Sequence, residues 1–123
     1  MPPDNVETLR AVYARWEQGD FTASLPLFGE DSTLAVDLGI PDGGNYEGTE
    51  GVRDYMARFL DAWESLSIAA ESYEPAGDTV LVKVRQSGVG RGSGVPVETR
   101  YFQRWTFRDG LVTRLEVSLS KPS

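Results

Sequence analysis

The chain has 123 residues, is 40% hydrophobic and 11% aromatic, and carries a formal net charge of −7. That length holds one domain with its own core and not two, so residues 1–123 are read as a single domain. Having no cysteine and no histidine, it offers no disulfide framework, thiol nucleophile, imidazole base or His/Cys metal site. Chemistry falls to carboxylates, tyrosines and amides, and no cofactor is implied. The acidic balance argues against nucleic acid and anionic membrane as partners. The absence of a basic start followed by an apolar run, or of a bilayer-length apolar window, points to the cytoplasm.

Asp4-x-x-Glu7 precedes an apolar series at Val6, Leu9, Val12, Tyr13 and Trp16, the pattern of a capped amphipathic helix over Asn5–Gln18 that ends at Gly19. Asp20 caps a shorter helical piece that turns Phe21, Leu25 and Phe28 inward and is distorted by Pro26. Ser32–Leu38 alternates as a strand with Leu34, Val36 and Leu38 on the inner side and Asp37 on the other. Ile40–Gly48 reads as a loop, either a surface connection or a lid over a pocket. Thr49 then caps a helix to about Trp63, with Val52, Tyr55, Met56, Phe59, Leu60 and Trp63 on one face. Such a stripe describes a core face as well as it describes a ligand wall.

From Leu66 the period becomes that of strands: Leu66–Tyr73, a turn at Pro75–Asp78, and Thr79–Ser87 with Val80, Val82 and Val84 in one phase. Gly88–Pro96 has four glycines but no following Gly-Lys-Ser/Thr, so it is a flexible connection and not a phosphate loop. Val97–Leu119 gives the strongest hairpin pattern. A three-residue loop, Arg108-Asp109-Gly110, sets Phe107 against Leu111, Trp105 against Thr113, Gln103 against Leu115 and Tyr101 against Val117. One face is then apolar and holds a single amide, Gln103, which needs a hydrogen-bond partner there. The other face carries Arg100, Phe102, Arg104, Arg114 and Glu116, and is the expected contact of a homodimer.

The order helix, short helix, strand, helix and four strands predicts an α+β domain, a curved, mostly antiparallel sheet wrapped around N-terminal helices. Through Trp16–Asp20 (WEQGD), Tyr46–Arg53 (YEGTEGVR), Ser93–Glu98 (SGVPVE) and Trp105–Gly110 (WTFRDG), the chain resembles the family of SnoaL-like polyketide cyclases and ketosteroid isomerases, with the nuclear transport factor 2-like fold. The resemblance implies a cone with a pocket at its wide end. It sets the isomerase base at Val36, with Asp37 one residue out of phase, the oxyanion-hole tyrosine at Val12, beside Tyr13, and the protonated aspartate of that hole at Gln103. The histidine of polyketide cyclases and scytalone-type dehydratases has no counterpart, nor has the Asp-Arg-Asp set of the epoxide-hydrolase branch.

The candidate catalytic residues are therefore Asp37, Gln103 and Tyr13, with Glu47, Tyr55 and Tyr101 as further polar groups. A pocket between sheet and helices is expected to be lined by Trp16, Tyr55, Phe59, Trp63, Tyr101, Gln103 and Trp105. Two functions follow. One is carboxylate-assisted proton transfer on a hydrophobic, ring-containing substrate, by a cyclase, isomerase or dehydratase. The other is an apolar-ligand-binding or dimerisation module without turnover. A carboxylate in a dry pocket distinguishes the first from the second.

Overall fold

In the computed structural model, which describes residues 4–122, two helices pack on one six-stranded sheet. Helix α1 (Asn5–Glu17) starts where the Asp4 carboxylate accepts the Glu7 N–H at 2.7 Å, and ends at Gly19, whose φ of 88° suits a residue without Cβ. A 3-10 turn at Leu25–Leu27, with Pro26 in its first turn, stands where a second helical piece is predicted, and Phe28 already opens strand β1 (Phe28–Val36). The remaining elements are β2 (Gly44–Glu47), α2 (Gly48–Asp61), β3 (Trp63–Ala76), β4 (Thr79–Gly90), β5 (Pro96–Arg108) and β6 (Leu111–Ser118).

The sheet order is β2-β1-β6-β5-β4-β3, antiparallel except for the β1–β6 pair. Helix α1 lies mainly on β3 and α2 mainly on β1. This is the predicted α+β class with its mostly antiparallel sheet. The core joins Leu9, Val12, Tyr13 and Trp16 of α1 to the Val80, Val82 and Val84 row of β4 and to Trp105 and Phe107 of β5. Among the described residues no helix is long and apolar enough to cross a membrane.

Several local expectations are corrected. The β5–β6 loop has two residues and not three: Arg108 pairs with Leu111 around Asp109 (φ 53°) and Gly110 (φ 80°). Two consecutive left-handed residues match the twist of a hairpin, which Asp-Gly allows cheaply. A bulge at Thr113 then supplies the offset assigned to the loop, so that Trp105 meets Leu115 and Gln103 meets Val117. The buried and wet faces come out as predicted although the partners do not.

Strand β1 stops at Val36, and Leu38 is 84% exposed instead of facing inward. The Asp37 carboxylate accepts the Gly39 N–H at 2.9 Å and the Asp37 carbonyl accepts the Ile40 N–H at 2.9 Å, which turns the chain out of the sheet. A second turn, Gly43 N–H to the Ile40 carbonyl, brings it back so tightly that a Cβ on Gly43 would collide with the Asp37 carbonyl oxygen. The returning segment is β2, paired with Thr33–Val36, where a loop is predicted.

Helix α2 is preceded by Glu47 as its cap residue, without a side-chain capping bond, so Thr49 lies inside its first turn and is not its cap. It ends at Asp61, and Trp63 belongs to β3. The Arg91 guanidinium donates to the carbonyls of Asp61 (2.9 Å) and Trp63 (3.2 Å), holding the helix end against the glycine-rich β4–β5 connection. That connection is shorter than predicted, since β4 runs through Gly90 and β5 begins at Pro96.

Candidate functional site

Between the concave sheet face, the Phe21–Phe28 segment and α2 lies a cavity of about 340 Å³, within the range of small-molecule sites. Trp16, Tyr55, Phe59, Trp63, Tyr101, Gln103 and Trp105, the seven residues expected in a pocket wall, all border it. The alternation of β5 delivers Tyr101, Gln103 and Trp105 to one face, and the spacing of α2 delivers Val52, Tyr55, Met56 and Phe59. The loop residues Ile40, Pro41 and Asp42 reach its edge, together with Val97 and Leu119.

Two buried tyrosine–glutamine pairs supply the polarity. The Trp105 indole N–H donates to the Tyr13 hydroxyl at 3.0 Å, and that hydroxyl donates to Gln103 Oε1. Trp105 can only donate, so the Tyr13 hydroxyl accepts from it and gives its own proton to the Gln103 oxygen, which leaves the Gln103 NH₂ turned elsewhere. In the second pair the Tyr101 hydroxyl donates to Gln86 Oε1 at 2.8 Å. Gln86 and Gln103 are 7% and 6% exposed, and both border the cavity.

Burial raises Tyr13 and Tyr101 well above the ordinary tyrosine range, and burial followed by the nearby Tyr46 and Asp42 pushes Tyr55 up to about 12. At neutral pH all three are uncharged phenols. Their folded values lie above the unfolded one, so their contribution to stability is complete below about pH 10 and is lost as pH rises through the folded values, toward 12 and beyond. A thermal midpoint that falls steeply above about pH 10, together with tyrosinate absorbance that grows only as the protein unfolds, is the expected result.

Asp37, the predicted base, is not among the residues bordering the cavity. Its two carboxylate oxygens face the Gly39 and Leu119 N–H groups at 2.9 and 3.5 Å, which ties the Asp37–Gly43 turn to the end of β6. Glu47 is exposed and accepts the Thr33 hydroxyl at 3.0 Å. Tyr13 is 2% exposed and reaches the site only through Gln103. Among the described residues, the one carboxylate on the cavity wall is that of Asp42, an exposed residue of the mouth loop, and no lysine or arginine borders the cavity. Among the described residues, no group of three or more His, Cys, Asp or Glu side chains could hold a metal ion.

Sequence reasoning missed Gln86, whereas the mouth loop lies within Ile40–Gly48, read there as either a surface connection or a lid. The signal for Gln86 was present: it continues the inward phase of Val80, Val82 and Val84. Tyr13→Phe tests the relay, because it strands the Trp105 N–H and the Gln103 oxygen together. Denaturant unfolding should show a loss of about 1–3 kcal/mol, and a change within error would mean the relay contributes nothing.

A protein-family model described as a SnoaL-like domain matches residues 9–115. The chain belongs to the SnoaL-like domain family. Its fold is shared with TerC, solved with polyporic acid (24% identity, covering 94% of this chain and 91% of the other, TM-score 0.81). It is shared with a ketosteroid isomerase-like protein of Catenulispora acidiphila in complex with trimethylamine (22% identity, 93% and 85% covered, TM-score 0.79). A SnoaL-like polyketide cyclase candidate from Jannaschia also matches (18% identity, 100% and 99% covered, TM-score 0.78). Nuclear transport factor 2-like proteins stand among the further structural matches, so the SnoaL-like domain here has the cone fold that the resemblance implied. No curated protein matches the sequence at significance.

Proposed function

We propose that this SnoaL-like chain binds an uncharged, ring-containing small molecule in its cavity and performs no carboxylate-driven proton transfer there. The observation that carries this reading is the inventory of the wall among the described residues: aromatic and aliphatic side chains, the Ser24 and Thr99 hydroxyls, two carboxamides, phenols held neutral by burial, and a single carboxylate out on the mouth loop. A base must come within hydrogen-bond reach of the proton it removes, and Asp37 is committed to its own turn. The structural neighbours crystallised with polyporic acid and with trimethylamine support small-molecule occupancy in this fold. Native mass spectrometry of freshly purified protein is expected to show a bound mass that is released on denaturation. A bare chain that also fails to shift its thermal midpoint with any hydrophobic ring compound would refute the reading.

The outer sheet face is proposed as a homodimer contact. Support comes from Phe102, half-buried among the ion pairs Arg104–Glu116 (2.7 Å), Arg114–Glu116 (3.5 Å) and Arg100–Glu71 (3.0 Å). Charges already paired within the chain leave a near-neutral surface, in an acidic protein, on which a second copy can rest. Sedimentation at tens of micromolar, roughly the range of weak association, should give a dimer that loosens with added salt. A monomer throughout would exclude it.

A further inference from the structure

We infer that the ligand of this cavity is elongated and uncharged and carries a hydrogen-bond acceptor near each end, read by Gln103 at the deep end and by Gln86 toward the mouth. The inference rests on the reading of the cavity as a ligand site. Both carboxamides give their oxygen to a tyrosine hydroxyl. What each has left is an NH₂, which donates and cannot accept. Neither NH₂ has a hydrogen-bond partner among the described residues, and both residues border the void. The Trp16 indole N–H, at the deep end beside Trp105, is a further donor, fully buried and without a partner. These three groups can only donate, whereas the Ser24, Tyr55 and Thr99 hydroxyls on the same wall can donate or accept. A donor left unpaired away from water is costly, so the occupant that relieves the two carboxamides offers an acceptor to each.

The spacing follows from the sheet. Gln86 lies opposite Thr99, and Thr99 and Gln103 are four residues apart on β5 and face the same side. At about 3.3 Å per residue this sets the two backbone positions about 13 Å apart along the strands. Gln103 sits next to fully buried Trp105, whereas Thr99 leads toward Val97, which is 42% exposed at the edge of the cavity. The two donors thus stand at different depths, and one small carbonyl compound cannot reach both. With no lysine or arginine on the wall, a carboxylate or phosphate at either end would be buried without a counter-charge.

The test is a ladder of probes with one hydrocarbon frame: biphenyl, 4-acetylbiphenyl and 4,4′-diacetylbiphenyl, with 4′-acetylbiphenyl-4-carboxylate as the charged control. Binding is read by quenching of tryptophan fluorescence and confirmed by calorimetry. Each acetyl group should tighten binding by roughly 3- to 10-fold, the span of one neutral hydrogen bond, and the carboxylate should bind more weakly than the diacetyl compound. Gln103→Met should abolish one step of the ladder and Gln86→Met the other, each step being read against the same variant's own affinity for biphenyl. If the methionine variant does not fold, Gln103→Met combined with Tyr13→Phe removes both partners of the relay bond and gives the same answer. Equal affinity for all three neutral probes, or a ladder that survives both substitutions, would overturn the inference while leaving the ligand site intact. Failure of all three probes to bind would instead sink the ligand-site reading on which it rests.

Discussion

Trp105→Ala is expected to cost about 3–5 kcal/mol, the range for emptying a large aromatic from a core, and to lower the thermal midpoint by roughly 10–25 °C for a domain of this size. Trp105 is 0% exposed and stands at the centre of the aromatic group, with ring centroids 6.3 Å from Tyr13, 6.2 Å from Trp16 and 5.9 Å from Phe28. Its removal opens a hole among α1, β1 and β5 and also withdraws the donor that orients Tyr13. Differential scanning calorimetry decides the matter, and a drop of under about 5 °C would show that neighbouring rings collapse into the space. Trp105→Phe should recover most of the packing but not the hydrogen bond, so that its residual loss falls in the range of about 1–2 kcal/mol.

In an enone isomerisation assay the protein is expected to show no turnover that depends on Asp37. A positioned general base contributes typically about 10²- to 10⁴-fold, and the geometry withholds all of it: the Asp37 oxygens are directed at the Gly39 and Leu119 N–H groups, and Val36 is buried hydrocarbon. Wild type and Asp37→Asn should therefore give the same background rate. Asp37→Ala should leave that rate alone too while loosening the mouth turn, visible as faster amide exchange at Gly39 and Ile40 and a stability loss of about 0.5–2 kcal/mol, comparable to the loss of a capping residue. Robust turnover that vanishes in Asp37→Asn would restore the carboxylate to a catalytic role.

Much of the fold was legible because periodicity is a property of whole segments. The spacing of Leu9, Val12, Tyr13 and Trp16 names a helix face whatever its exact ends, and the alternation through Tyr101, Gln103 and Trp105 identified both the buried side of β5 and the one amide within it. What failed turned on single residues. Nothing in the run Leu111–Ser118 marks Thr113 as the residue left out of the ladder, so the offset was assigned to the loop. The four residues of β2 have no pattern of their own and become a strand only because two turns lay them beside β1. Asp37 looked like a base displaced by one position, because a strand pattern does not reveal that the strand has already ended. Gln86 went unremarked for a simpler reason. A polar residue at the end of a valine row reads as the point where burial stops, and only the Tyr101 hydroxyl, arriving from the neighbouring strand, turns it into part of the interior.

The bulge at Thr113 makes chain length at this one place dispensable. With Thr113 deleted, an unbroken two-residue hairpin would pair Phe107 with Val112, Thr106 with Arg114 and Trp105 with Leu115, the same partners that the bulged chain has now. At an unbulged position of the sheet, losing one residue would turn the later side chains of that strand to the opposite face. Here it would remove only the local bend and the 3.3 Å bond from the Thr113 hydroxyl to the Thr106 carbonyl. Insertion and deletion can therefore drift at this position without scrambling inside and outside, and the curvature of the cone can be retuned by a single codon.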